Sequence, residues 1–145
     1  MRKVEEINVF YKKHGIYNPQ GLTKIDKPKK RKRKLASRET IYKETSLIKE
    51  YTQMYTNYPN NILEFKKEIN CVHPTQKPVE LLEYLIKTYT NESMIVLDSC
   101  MGSGSTGVAC ANTNRKFIGI EFDENYYNIA ENRITRAYFN QRKSK

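Results

Sequence analysis

Apolar positions along the chain change their period several times, and each change predicts an element. Glu6-Ile7-Asn8-Val9-Phe10-Tyr11 alternates at period two, the pattern of a strand. Asn18-Pro19-Gln20-Gly21 is a turn signal. Over residues 40–56, Ile41, Ile48, Tyr51 and Tyr55 share a helical face, which predicts a helix. Asn57-Tyr58-Pro59-Asn60-Asn61 ends that pattern, and 61–65 reads as a short strand. From residue 78 the pattern sharpens. Pro78 opens a helix where its missing N–H costs nothing, and Val79, Leu82, Leu85, Ile86 and Tyr89 follow at helical spacing. Met94-Ile95-Val96-Leu97 is a continuous apolar run suited to a buried parallel strand. A glycine-serine loop follows from Asp98 to Ser105, then a helix of small residues from Thr106 to Ala111. Phe117-Ile118-Gly119-Ile120 is a second apolar strand closing on Glu121, and Asp123 is an N-cap for a last helix from Glu124 to Phe139. Residues 94–121 therefore predict a βαβ unit, and the fold class is α/β.

Composition narrows the picture. No run of the 145 residues approaches the ~20 apolar residues that span a bilayer, and the first residues lack the apolar stretch of a secretory signal. The three cysteines, Cys71, Cys100 and Cys110, form no CxxC pair. His14 and His73 stand at no ligand spacing to them, so no metal site is expected. A reducing, cytoplasmic compartment fits these features. The net charge of +10 is uneven: residues 1–70 hold 17 Lys+Arg and 8 Asp+Glu, residues 71–145 hold 9 and 8. The excess centres on Lys24–Lys34, where eleven residues hold eight bases. Such a run repels itself and predicts a mobile loop at about 22–38. Lys29, Lys30, Arg31, Lys32, Arg33 and Lys34 are candidate phosphate contacts for nucleic acid. A solvated surface loop is the competing reading. Tyr51, Tyr55 and Tyr58 offer stacking surfaces to bases, although such a stripe more often packs a helix into a core.

The glycine loop carries the clearest chemistry. Gly102, Gly104 and Gly107 form a G-x-G-x-x-G pattern between a strand and a helix, the context that gives the pattern meaning. Glu121 lies 17 residues past Gly104, at the end of the next strand, where an acid accepts both ribose hydroxyls. A nucleoside ligand follows. A dinucleotide would set its pyrophosphate on this loop, and Asp98 at the loop's mouth opposes that: two like charges about 4 Å apart cost roughly 4 kcal/mol at an effective dielectric of 20. S-adenosylmethionine has no phosphate and carries a sulfonium and an ammonium, which Asp98 attracts.

These residues resemble a family. His73-Pro74-Thr75-Gln76-Lys77-Pro78-Val79-Glu80-Leu81-Leu82 is similar to motif X of the amino-methyltransferases that modify adenine N6 or cytosine N4 in DNA. Residues from Asp98 to Thr106 resemble their motif I, with Ser99, Cys100 and Ser105 where the family usually has Pro, Phe and Thr. Residues from Phe117 to Tyr127 resemble motif II. The order X, I, II is that of the circularly permuted β class. Val9–Lys13 and Tyr17–Gln20 resemble the segment after that class's catalytic region, and 61–65 the strand before motif X.

The resemblance implies a partial Rossmann-like methyltransferase sheet over 71–145, preceded by a basic, irregular α/β target-recognition region over 1–70. It implies S-adenosylmethionine as cofactor, double-stranded DNA as partner, and a bacterial or phage-like source. Thr75, Gln76 and Lys77 would close the pocket, with Lys77 meeting the methionine carboxylate. Asp98, Cys100, Gly102 and Gly104 would surround the methionine, Glu121 would hold the ribose, and Phe122 would pack on adenine. The family's D/S-P-P-Y catalytic motif is absent, since the prolines at 19, 28, 59, 74 and 78 include no adjacent pair. No catalytic residue is therefore assigned. The chain is expected to be the C-terminal half of a truncated or split enzyme, needing a complementing chain or a second copy. The competing expectations are an inactive remnant that binds DNA through its basic region, and a fragment of an NAD-type dehydrogenase.

Overall fold

The computed structural model describes residues 5–13, 15–34, 48–69 and 71–143. Among the described residues seven elements follow one another: β1 (Thr23–Lys34), β2 (Ile48–Thr56), α1 (Val79–Tyr89), β3 (Ile95–Asp98), α2 (Ser105–Asn112), β4 (Lys116–Gly119) and α3 (Glu124–Lys143). They fall into two compact units, Pro19–Ile62 on its own and Met1–Asn18 together with Leu63–Lys145.

The larger unit is α/β. β3 and β4 pair in parallel, Ile95 opposite Lys116 through Asp98 opposite Gly119, and α2 is the crossover between them. Small residues make this crossover tight: Ala109, Cys110 and Ala111 are wholly buried, and Val79, Leu82, Ile86, Val96 and Phe117 close around them. Burial pushes the Cys110 thiol up to about 12, which makes it a small apolar core residue and not a nucleophile. The opposite face of the same strands is open, with Ile95, Leu97, Ile118 and Ile120 all exposed. The apolar runs that predict buried strands are thus buried on one side only.

Helix ends are held by side chains from distant parts of the chain. Glu68 Oε1 accepts the Val79 N–H at 3.0 Å and satisfies a donor that α1 cannot use itself. At the other end, the Asn18 amide donates to Lys87 O and Thr90 O, while Asn18 N–H donates to Thr88 O at 2.7 Å. The buried Arg115 guanidinium donates to Thr90 O at 2.8 Å and Thr90 Oγ1 at 3.0 Å. Asp123 caps α3 as expected, its Oδ1 accepting the Tyr126 N–H at 3.0 Å.

The smaller unit differs from the expectation. Residues 23–34 form the strand β1, paired antiparallel with β2, and are no loop. The helix expected over 40–56 is absent where described: 48–56 is strand, and 40–47, like 35–38 and His14, lie outside the described residues. The physical reason is that Tyr51, Thr52, Tyr55 and Thr56 are β-formers, and the spacing of Tyr51 and Tyr55 fits a period of two as well as a helical turn. Cross-strand backbone pairing holds the run extended, and Glu50 beside Lys32 offsets part of the self-repulsion read from composition. Three extra residues between Lys24 and Lys29 shift the register, and Pro28, with no N–H to donate, sits in that irregularity. Residues 6–11 and 61–65 are not strands. Phe10 is 89% exposed, and among the described residues no strand pairs with 6–11.

Among the described residues no helix is long and apolar enough to cross a membrane, and no cluster of His, Cys, Asp or Glu is fit to hold a metal.

Candidate cofactor site at the glycine turn

The site is built on the turn from β3 into α2. Gly102 and Gly104 both take positive φ, +51° and +78°, a backbone that L side chains rarely adopt. A Cβ on Gly104 would also lie 2.8 Å from the Ala130 Cβ on α3. At Gly102 the nearest atoms a Cβ would meet are those of the His73 ring, at 3.6 Å.

Two carboxylates face this turn. Asp98 Oδ1 accepts the Cys100 N–H at 3.1 Å, and Oδ2 accepts the Thr106 hydroxyl at 2.6 Å. Glu121 Oε2 accepts the Gly102 N–H at 2.7 Å, and its Oε1 accepts the N–H groups of Phe122 and Asp123 at 2.9 and 3.0 Å. These backbone donors, Asp123 first and then Gly102, hold the Glu121 carboxyl below the usual carboxylate range. Among the described residues neither acid forms an ion pair; the three salt bridges lie elsewhere. Every donor to Asp98 and Glu121 named here is neutral, and the Arg133 guanidinium reaches the turn at Ser103 O, not at either carboxylate.

The segment before α1 closes over the turn. Ser103 Oγ donates to Gln76 Oε1 at 2.9 Å, and the Gln76 amide donates in turn to Glu68 Oε2. His73 sits against Gly102 on one side and edge-on to Tyr126 on the other, ring centroids 4.4 Å apart. Arg133 of α3 donates to Ser103 O at 2.5 Å. The fold thus brings Gln76, Asp98, Gly102, Gly104 and Glu121 together. Thr75 instead bonds the His73 ring through its N–H, at 3.2 Å, and its hydroxyl, at 3.1 Å. Lys77 pairs with Glu5 at 2.5 Å. The Cys100 side chain is exposed, and that of Phe122 is fully so. Lys29–Lys34 belong to β1, in the other unit.

Sequence reasoning gave no role to Glu68, Ser103, Tyr126 or Arg133. Thr106 carries a local signal, a hydroxyl eight residues after Asp98 in the first turn of the helix. Glu68 and Arg133 carry none, because their partners lie 11 and 30 residues away.

A family model described as DNA methylase (N6_N4_Mtase) matches residues 1–132. The chain belongs to this DNA methylase family. The type II methyltransferase M2.LlaDCHI of Lactococcus lactis subsp. cremoris is 35% identical over 108 residues, which is 72% of this chain and 40% of that protein. The DNA adenine methyltransferase YhdJ of Escherichia coli is 44% identical over 84 residues, 54% of this chain and 29% of its own length. Among solved structures, the M1.HpyAVI–SAM complex is 32% identical with a TM-score of 0.47, covering 79% of this chain and 63% of that one. The chain spans less than half the length of these two curated relatives, so the 145 residues correspond to part of such a DNA methyltransferase.

Proposed function

We propose that these residues form the S-adenosylmethionine-binding part of a site-specific DNA amino-methyltransferase. The observation that carries this reading is the pair of carboxylates, Asp98 and Glu121, around the Gly102–Gly104 turn, neither with an ion-pair partner among the described residues. A turn so charged repels a pyrophosphate and attracts a sulfonium and an ammonium. Asp98 would hold the methionine end, with the turn's backbone beside it. A carboxylate has about four acceptor sites, and the three N–H bonds on Glu121 leave room for a ribose hydroxyl. Gln76 and Thr75 would close the pocket, and Cys100 would lie at its mouth. The exposed Phe122 ring is free to lie on adenine. Lys77 meets the methionine carboxylate by leaving Glu5; a pair this exposed is worth about 0–1 kcal/mol, so the exchange costs little.

When bound, the cofactor supplies an electrophilic methyl group. These residues orient it and keep its cationic centre beside Asp98. The accepting amine, adenine N6 or cytosine N4, must be extruded from the duplex and gripped by a segment of the Pro-Pro-Tyr type. The 145 residues hold no adjacent prolines. That grip would come from outside them, in the same polypeptide or in a complementing chain, and the open apolar face of β3 and β4 gives such a part a surface to cover. Lys29–Lys34 would contact the DNA.

Calorimetric titration of the chain with S-adenosylmethionine tests the reading, beside Asp98→Ala and Glu121→Ala. Binding by the parent that both variants lose is the expected result. A folded parent that takes up none, or that is competed equally by NAD, overturns it. The eight bases of β1 favour a second reading, a remnant that binds DNA without catalysis. On that reading duplex binding persists without any cofactor binding, and weakens with salt at a log–log slope of about −0.9 per phosphate contacted.

A further inference from the structure

The two faces of the β1–β2 ribbon are not equivalent. In the regular part of the ladder Lys29 pairs with Gln53, Arg31 with Tyr51 and Arg33 with Lys49; these are alternate positions and share one face. Lys30 with Thr52, Lys32 with Glu50 and Lys34 with Ile48 share the other. Glu50 is the one acid among these ladder positions, and it neutralises Lys32 at 2.8 Å. The first face therefore carries cations and a tyrosine with no carboxylate. A polyanion lying on this face meets no carboxylate at these ladder positions.

Arg31 on this face is held in place. Its Nε donates to Gln53 Oε1 at 3.2 Å, and Gln53 Nε2 donates to Tyr55 O at 3.1 Å. Gln53 thus ties the guanidinium to the strand backbone, and a bond made at Nε does not use the two terminal nitrogens, which can act as a fork. Such a fork matches guanine O6 and N7. B-form DNA admits a two-stranded ribbon into its major groove, whereas the deep, narrow major groove of duplex RNA does not.

We infer that the Lys29–Arg31 face of this ribbon enters the major groove of duplex DNA, with Arg31 reading a guanine and Gln53 acting as the positioning residue for it. This rests on the proposed reading of the chain as part of a DNA methyltransferase, and it separates base reading from phosphate contact within the basic run.

The test is selection of bound duplexes from a DNA pool with a randomised core, read by sequencing, with a duplex RNA as competitor. The parent is expected to enrich guanine at one or more positions and to ignore the RNA. Arg31→Lys, which keeps the charge and the strand, is expected to lower that guanine preference roughly tenfold. Gln53→Ala should lower it too while leaving the salt slope intact. Lys32→Ala, on the other face, should keep the preference. An unchanged guanine preference in Arg31→Lys, an equal loss in Lys32→Ala, or equal binding of the RNA overturns the inference while leaving DNA binding standing. Failure of the parent to bind any duplex overturns both the inference and the DNA contact proposed for the basic run.

Discussion

The glycine turn and the basic ribbon are each organised by a pair of strands, yet they are held in different ways. Around the turn, β3 and β4 are four residues each, and the fold is fixed by what lies against them: wholly buried Ala109, Cys110 and Ala111, the Ala130 Cβ against Gly104, and side-chain bonds at both ends of α1. In the ribbon, β1 is 12 residues long and β2 nine, and the cross-strand ladder carries most of the order. The described side chains there make few bonds, and Tyr51, Met54 and Tyr55 remain exposed. Close packing tolerates little change and gives a preformed site. A two-stranded ribbon is marginal in water. It suits a surface that is completed by its partner.

The largest expected effect tests the packed region. Gly104→Ala adds a Cβ 2.8 Å from the Ala130 Cβ and 3.0 Å from its Cα, at a φ of +78°. Left-handed backbone costs about 1–2 kcal/mol and overpacking about 1–3, so a loss of about 2–5 kcal/mol is expected. Thermal denaturation should show Tm falling by roughly 10 °C. Gly15→Ala is the control, since nothing lies within 4 Å of its added Cβ and its effect should stay within about 0.5 kcal/mol. Equal shifts for the two would mean that the turn is not close-packed.

A second change, Glu68→Ala, removes the acceptor for the Val79 N–H and the hold on the Gln76 amide. Losing a helix-start acceptor costs about 0.5–2 kcal/mol. The expected result is a lower Tm together with weaker S-adenosylmethionine binding. Glu64→Ala, exposed in the same segment, should change neither. A Glu68→Ala chain that melts like the parent would detach motif X from the end of α1.

The same contrast explains what could be read from the sequence. The βαβ unit was legible because its determinants are local: glycines where the backbone turns left-handed, small residues where a helix crosses a sheet, an acid at a strand's end. Asp123 capping α3 was legible for the same reason. The ribbon was not, because composition speaks of repulsion while the backbone pairing that holds the strand comes from partners 14 to 33 residues away. Period-two runs at 6–11 and 61–65 failed from the other side: alternation makes a strand only where another strand accepts it. Glu68 and Asn18 were invisible because the groups they satisfy lie 11 and about 70 residues away. Lys77 matches its motif, yet its partner Glu5 lies 72 residues upstream.

A smaller effect should appear in acid. Backbone N–H groups hold the folded-state pKa of Glu121 below its ordinary value near 4.5. Stability from this group is therefore full above that ordinary value and lost as pH falls through the lower, folded value. Glu121→Gln should melt below the parent at neutral pH, and the gap should narrow as pH falls below about 4.5. Melting curves from pH 7 to pH 3 check this. A gap that stays constant would show that the charge on Glu121 contributes nothing to the turn.

The smallest expected effect belongs to the ribbon. Lys32 and Glu50 form its one described ion pair, with side chains 74% and 65% exposed. Pairs this open contribute about 0–1 kcal/mol, because water screens the charges and two long side chains lose rotamer freedom. Lys32→Gln should therefore leave the ribbon's melting within about 0.5 kcal/mol of the parent in 0.15 M salt, as followed by its amide exchange. It also removes one cation from a strand that repels itself, which offsets part of the lost pair. A clear loss of amide protection across Lys30–Thr52 would mean that this single bridge pins the register. The ribbon would then resemble the glycine turn in depending on one contact, and its partner-completed character would have to be given up.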